Sequence, residues 1–275
     1  MFVVPSLAAL HPFQRLDWLH WTIHPSTVLG IAALAGLYGW RVRAARGAGG
    51  ASPGAGQALA FAGGLIALFA SLNGPLHDLS DSYLFSAHMV QHLVLTMLVT
   101  PLLLAGTPGW MLRSLLRFSV VARIARRVTS PVACFSIFSV VLTAWHLPPL
   151  YNFAMAHHSV HIVQHLCFLV ASTLMWWPLM SPLAELPRAP YPQQMLYTFL
   201  LTLPMSLVSI AITYAGSVIY PAYASAPRIS GLSPLEDQQL GGLIMWIPGG
   251  LVFLGVLTVV FFRWVAAEEE EAVLV

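Results

Sequence analysis

Apolar runs long enough to cross a bilayer recur along the whole of this 275-residue chain. A membrane-spanning helix needs about 20 mostly apolar residues. Seven runs come close to or meet that length: 26–41, 57–75, 82–104, 130–146, 159–180, 195–219 and 238–262. The expected fold is therefore an all-α membrane protein, a bundle of seven transmembrane helices forming one domain over residues 1–275, with an acidic tail at 263–275. Composition agrees with this reading. Hydrophobic residues make up 58% of the chain and charged residues only 8%, against about 25% in soluble domains. So few charges cannot cover a water-facing surface of this size. The same numbers exclude a disordered chain. A net charge of +2, with no basic domain, excludes nucleic acid as a partner. Two cysteines, Cys134 and Cys167, make neither a disulfide framework nor a CxxC metal site. Met1–Leu10 lacks a basic stretch and a long enough apolar run for a signal peptide, so none is expected.

The arginines orient the bundle. One set of span ends carries Arg41, Arg43, Arg46, Arg113, Arg117, Arg123, Arg126, Arg127, Arg188 and Arg263. The opposite set carries only Arg15 and Arg228. Basic loops stay in the cytoplasm, which puts the N-terminus outside and the tail Glu268–Glu271 inside. The segment 110–128, with five arginines among apolar residues, reads as an amphipathic helix on the inner leaflet or as a topogenic basic loop. Gly47–Gly56 reads as a flexible connection.

Once the spans are oriented, all eleven histidines fall on the outer side. His11, His20 and His24 precede span 1, and His77 precedes span 3. His88 and His92 lie in the outer half of span 3, and His146 closes span 4. His157 and His158 sit in the next outer loop, with His161 and His165 in the outer half of span 5. Two local patterns match: His88-Met-Val-Gln91-His92 and His161-Ile-Val-Gln164-His165. In each H-x-x-Q-H the two imidazoles share one helix face. Asp81 is expected to extend the first face, and His157 the second. Span 7 opens with Glu236-Asp237-Gln238-Gln239 and Leu240-Gly241-Gly242, a notch for close helix approach. Pro248-Gly249-Gly250 is expected to interrupt that span at mid-membrane.

Each residue also has an ordinary role open to it. A single histidine in a span is most often a hydrogen-bonded packing residue. Asp81 and Asp237 suit helix caps, and Met89, Met155 and Met245 suit core filling. Four imidazoles in two matched pairs are costly in hydrocarbon unless they face the bundle and find partners. The pattern therefore points to a metal or cofactor site with His88, His92, His161 and His165 as ligands. Gln91, Gln164, Asp81, Asp237 and Gln238 are expected to orient them. Met89, Met155 or Met245 would lend a soft contact, and His77, His146, His157 and His158 an outer relay. Imidazole suits copper, zinc and iron; thioether nearby favours copper, and carboxylate favours zinc.

Four motifs in order resemble the CtaG-type cytochrome c oxidase assembly factors of bacteria. They are Asp78–Gly106, His146-Leu-Pro-Pro-Leu-Tyr151, His161–His165 with Trp176-Trp177-Pro178, and Asp237–Gly242 with Met245-Trp-Ile-Pro248. The resemblance implies a non-enzymatic, multi-pass protein of the bacterial plasma membrane, serving the respiratory chain. It would help insert copper into a haem-copper oxidase. Its partners would be oxidase subunits, an outer-side copper donor and the lipid bilayer. Two rivals stay open: a b-type haem electron carrier with axial histidines, and an intramembrane zinc hydrolase with three histidines and an acidic base.

Overall fold

A computed structural model describes residues 21–273. His11, Arg15 and His20 lie outside the described residues. All regular structure among them is helical. The order is α1 (Pro25–Gly47), α2 (Ala55–Leu72), α3 (Pro75–Ser82), α4 (Phe85–Leu93), a π-helical segment (Val94–Val99), α5 (Thr100–Gly106), α6 (Gly109–Arg113), a 3₁₀ turn (Ser114–Arg117), α7 (Ser119–Val128), α8 (Pro131–His146), α9 (Pro148–Ala156), α10 (His158–Met180), α11 (Tyr191–Thr213), α12 (Pro221–Ala224) and α13 (Pro234–Val273).

Proline marks many of the helix starts. Pro25, Pro75, Pro131, Pro148 and Pro221 occupy first-turn positions. There the missing N–H costs nothing, because the first amides of a helix have no intrahelical acceptor. Ser130 adds a side-chain cap to α8, its hydroxyl accepting from the Ala133 amide at 3.4 Å.

Among the described residues, five helices are long and apolar enough to cross a membrane: α2, the continuous rod Phe85–Gly106, α10, α11 and α13. α7 and α8 meet at a 72° bend and make a sixth if taken as one span. The 16-residue α8 is about 24 Å long by itself, short of a hydrocarbon core of about 30 Å. The 23-residue α1 has the length but a more dilute apolar run, with Gly30, Gly36 and Gly39 inside it and Arg41, Arg43 and Arg46 in its last turns. The basic segment 110–128 is helical. Its last helix, α7, exposes Val120, Val121 and Ile124 alongside Arg123, Arg126 and Arg127.

α13 packs along α11 and α4, α10 along α8 and α5, and α2 along α5 and the π segment. Gly241 and Gly242 set the first of these contacts. A Cβ on Gly241 would stand 2.4 Å from the Phe85 ring, and one on Gly242 would stand 2.3 Å from Thr213 Oγ1. The two glycines therefore face α4 and α11 respectively, as the expected notch requires.

Two local expectations change. Span 7 is not interrupted: α13 runs through Pro248 as one 40-residue helix, about 60 Å long. One missing N–H is tolerated where neighbouring helices enclose the break, and Met205 of α11 lies within 3 Å of a Cβ built on Gly249. Span 3 is not one face from Asp81 to His92. The chain breaks at Tyr83–Leu84, so Asp81 belongs to the separate short helix α3.

The π segment has a traceable cause. The Thr100 amide reaches back five residues to the Leu95 carbonyl. The next bond of that kind, to the Thr96 carbonyl, would need an N–H from Pro101, which has none. Two side chains replace it: Trp176 Nε1 donates to Thr96 O at 2.8 Å and Thr100 Oγ1 donates at 2.7 Å. Such segments are frequent beside functional sites, and this one begins two residues after His92.

Candidate metal centre

The α3–α4 turn, the N-terminal turns of α10 and the C-terminus of α8 bring the histidines together. His88, His161 and His165 each offer one ring nitrogen, and the three atoms lie within 4.8 Å of one another. All three side chains are buried. Ligand nitrogens on one ion stand about 3.5 Å apart when each bond is about 2.0 Å. Small side-chain rotations close that gap, so the three residues fit a metal ion.

His92 sits beside this trio. Its ring centroid lies 4.3 Å from that of His88 and 5.7 Å from that of His165. His146 is next, 5.9 Å from His92. Among the described residues, Nε2 of His88, His161, His165 and His146 has no hydrogen-bond partner, nor has either nitrogen of His92. Buried polar atoms are normally paired, and each that is not calls for an explanation. Convergence on a cation explains this group.

Hydrogen bonds to the other ring nitrogens decide which face carries the lone pair. Tyr223 has one hydroxyl proton, and it goes to the Ser80 carbonyl at 2.7 Å. Its oxygen then accepts from Tyr151 Oη at 2.9 Å and from His88 Nδ1 at 3.2 Å. His88 Nδ1 therefore carries the proton, and Nε2 is left bare for coordination. His146 follows the same logic, because its Nδ1 lies 2.7 Å from the Leu142 carbonyl and must donate. His161 Nδ1 lies 3.5 Å from an Asp81 carboxylate oxygen. That is the carboxylate–histidine arrangement that orients metal-binding imidazoles. Asp81 also faces His77 Nε2 at 3.4 Å.

The expected orienting residues divide. Gln91 donates to the Ser71 carbonyl at 2.6 Å, lies 3.1 Å from His77 Nδ1, and accepts from Ser80 Oγ at 3.0 Å. It orders the α2–α3 side of the site rather than the paired histidines. Gln164 is fully buried, with neither amide atom hydrogen-bonded among the described residues. Asp237 is occupied elsewhere. Its carboxylate accepts from the amides of Phe85 at 2.7 Å and Ser86 at 3.2 Å, and from Ser86 Oγ at 2.5 Å. It caps α4 from the far end of the chain, as a carboxylate at a helix N-terminus should. Gln238 accepts from the Ile219 amide at 2.8 Å and donates to the Ser217 carbonyl at 3.3 Å, tethering the loop that leads to Tyr223.

The outer histidines divide too. His77 packs edge-on against His24, with centroids 4.3 Å apart, and the exposed His158 lies 6.2 Å from His24. These three and Asp81 link the surface to His161. His157 bonds instead to the Phe153 carbonyl at 2.9 Å and is exposed. It is the N-cap residue of α10, so its ring does not continue the His161–His165 row. His146 lies on the flank of the cluster beside Phe168. Met155 Sδ lies 4.0 Å from the Tyr223 hydroxyl, while Met89 and Met245 face a cavity beyond His92.

Sequence reading did not single out Tyr223, Tyr151 or Ser80. The available signal was the pair Tyr220-Pro-Ala-Tyr223 before span 7, since a buried tyrosine hydroxyl needs a partner.

The chain matches curated relatives of unassigned role. It is 24% identical over 207 residues to uncharacterized proteins of Mycobacterium bovis and Mycobacterium tuberculosis, covering 70% of this chain and 31% of each relative. It is 26% identical over 263 residues to an uncharacterized protein of Mycobacterium leprae, covering 90% of this chain and 39% of the relative. The chain thus spans about a third of the length of these relatives. No solved structure matches it. The model of one family, the cytochrome c oxidase caa3 assembly factor (Caa3_CtaG), matches residues 36–267. A helical, multi-pass bundle with its histidines gathered at one end accords with that match, and the chain belongs to the cytochrome c oxidase caa3 assembly factor family.

Proposed function

We propose that this protein binds copper at His88, His161 and His165 and hands it to a haem-copper oxidase during assembly. The observation that carries this reading is the convergence of three buried imidazole nitrogens within 4.8 Å, with the opposite nitrogen of His88 bonded to Tyr223 and that of His161 facing Asp81. Copper is cargo here, and the chain performs no bond chemistry on it. Neutral imidazoles hold the ion, Tyr223 and Asp81 fix their orientation, and the His158–His24–His77–Asp81 series admits the ion from the outer side. The four paired imidazoles are linked by ring contacts at 4.3–6.3 Å between centroids. Axial histidines of a haem stand on opposite faces of a macrocycle, so this packing favours an ion over haem.

The proposal includes the membrane arrangement. α1 and the α7–α8 pair complete seven spans in a bacterial plasma membrane, with the N-terminus and the histidine cluster outside and the arginine-rich ends and C-terminus in the cytoplasm. A reporter active only in the cytoplasm should light up when fused after Arg127 or at the C-terminus, and stay dark after Pro149. The reverse pattern overturns the arrangement.

Metal analysis of protein purified in mild detergent tests the site. Copper at one equivalent or more, falling as pH is lowered because each ligand must be neutral, is the expected result. In a strain lacking the protein, the oxidase polypeptides should be made but be copper-poor. Zinc at the site with hydrolytic activity, or a fully copper-loaded oxidase in that strain, overturns the reading.

A further inference from the structure

One turn further along the Phe85–Gly106 rod, a separate cavity of about 20 Å³ lies against His92 and His146. About 10–15 Å³ is the space of a single water-sized sphere, so it accommodates one ion and nothing larger. Met89, Met97, Met205 and Met245 line it, drawn from α4, the π segment, α11 and α13. Two nitrogens of His92 and one of His146 have no hydrogen-bond partner among the described residues. Both side chains are at least nine-tenths buried. His146 Nδ1 donates to the Leu142 carbonyl, so its free Nε2 carries a lone pair.

The donor chemistry is selective. Among the described residues, every polar or sulfur donor on the wall is neutral, and no carboxylate or thiol lines the cavity. The cost of burying an ion grows with the square of its charge, and without an anionic ligand a divalent ion has nothing to offset that cost. Thioethers favour soft ions and imidazole accepts them. We infer that His92 and His146, together with methionine sulfurs of this cavity, form a second site, for one soft monovalent d¹⁰ cation. In the cell that ion is Cu(I), an identity that rests on the proposed copper function; the site itself does not. His92 touches both His88 and His165, so the two sites adjoin without sharing a ligand. Sequence reading placed His92 with the first group because it shares a helix face with His88. In the structure it stands between that group and the methionine-lined cavity.

The test uses Ag(I), which is soft, monovalent and without redox chemistry, on the full chain in detergent under anaerobic conditions. Wild-type protein should bind two Ag(I), and X-ray absorption should show both nitrogen and sulfur neighbours. The Met205→Leu/Met245→Leu variant changes volume little, so it should fold; size-exclusion chromatography checks this. It should lose part of the sulfur scattering and weaken one equivalent at least tenfold, while a Co(II) titration of the three-histidine site stays unchanged. His165→Ala should abolish Co(II) binding and keep the sulfur-ligated silver. Nitrogen-only scattering in the wild type, or unchanged silver stoichiometry in the double leucine variant, overturns the second site. Absence of Co(II) binding with sulfur-ligated silver retained overturns the three-histidine site instead.

Discussion

The two H-x-x-Q-H segments have the same spelling and different surroundings. The α4 segment is braced from four directions. Asp237 caps its first turn, Tyr223 holds His88, Gln91 is hydrogen-bonded to Ser71 and Ser80, and Met245 of α13 lines the wall that His92 faces. The α10 segment is held by little more than Asp81 on His161. Its N-cap residue, His157, makes no side-chain cap bond, and Gln164 makes none either. A repeated motif thus fixes where two imidazoles stand on a helix. What surrounds the helix decides what each one does.

The comparison breaks most readily at the ligands. Removing one imidazole of the trio, in His161→Ala or His165→Ala, should weaken the first metal equivalent by more than the about 10–100-fold typical of an outer partner. His92→Ala should leave that equivalent intact, as isothermal titration would show. Equal losses in all three variants would mean that the two segments contribute alike.

Next in size is Tyr223→Phe. It frees His88 Nδ1 and Tyr151 from their shared oxygen, so metal affinity should fall by about 10–100-fold while His161 remains oriented. Retained affinity would show that the α4 segment does not depend on its brace.

The glutamines come third. Gln91→Leu strands the Ser71 carbonyl, while the Ser80 hydroxyl keeps the His77 carbonyl as acceptor, and should cost about 1–3 kcal/mol. Gln164→Leu breaks no hydrogen bond among the described residues and should be neutral or stabilising. Thermal unfolding in detergent measures both; similar losses would erase the asymmetry.

The smallest effect lies at the opposite end of the molecule. Glu185 is held below the usual carboxylate range, first by a backbone amide and then by the guanidinium of Arg113. A depressed value means the contribution is present above the ordinary carboxylate pKa and is lost as pH falls through the lowered one. Both partners are exposed, so such a pair adds little. Glu185→Gln should leave metal binding at both segments unchanged and remove only that shallow acid-side loss of stability.

How legible all this was depends on range. The helices and the gathering of histidines follow from short periodicities, because apolar length and i,i+4 spacing are local properties. Pro248 misled the reading of α13, since a proline's effect depends on whether neighbours enclose the gap. Asp81 misled because a two-residue break at Tyr83–Leu84 detached it from α4, which angular bookkeeping on one helix does not register. Asp237 was legible as a cap but not as the cap of another helix, for its partners stand 152 and 151 positions away. His92 was placed by its own helix, whereas most of its surroundings come from α8, α10, α11 and α13. Contacts of that reach leave no trace in spacing.

Asp237 has a consequence for the order in which such a chain is made. Ribosomes deliver α4 and α10 to the membrane well before α13. Until α13 arrives, the Phe85 and Ser86 amides lack their acceptor, and the loop carrying Tyr223 lacks the tether from Gln238. The proposed binding site is therefore the last part of the molecule to be finished, although its histidines are made early. A nascent or truncated chain holds the histidines without their fixed orientation, so on the proposed function metal capture waits on complete biogenesis.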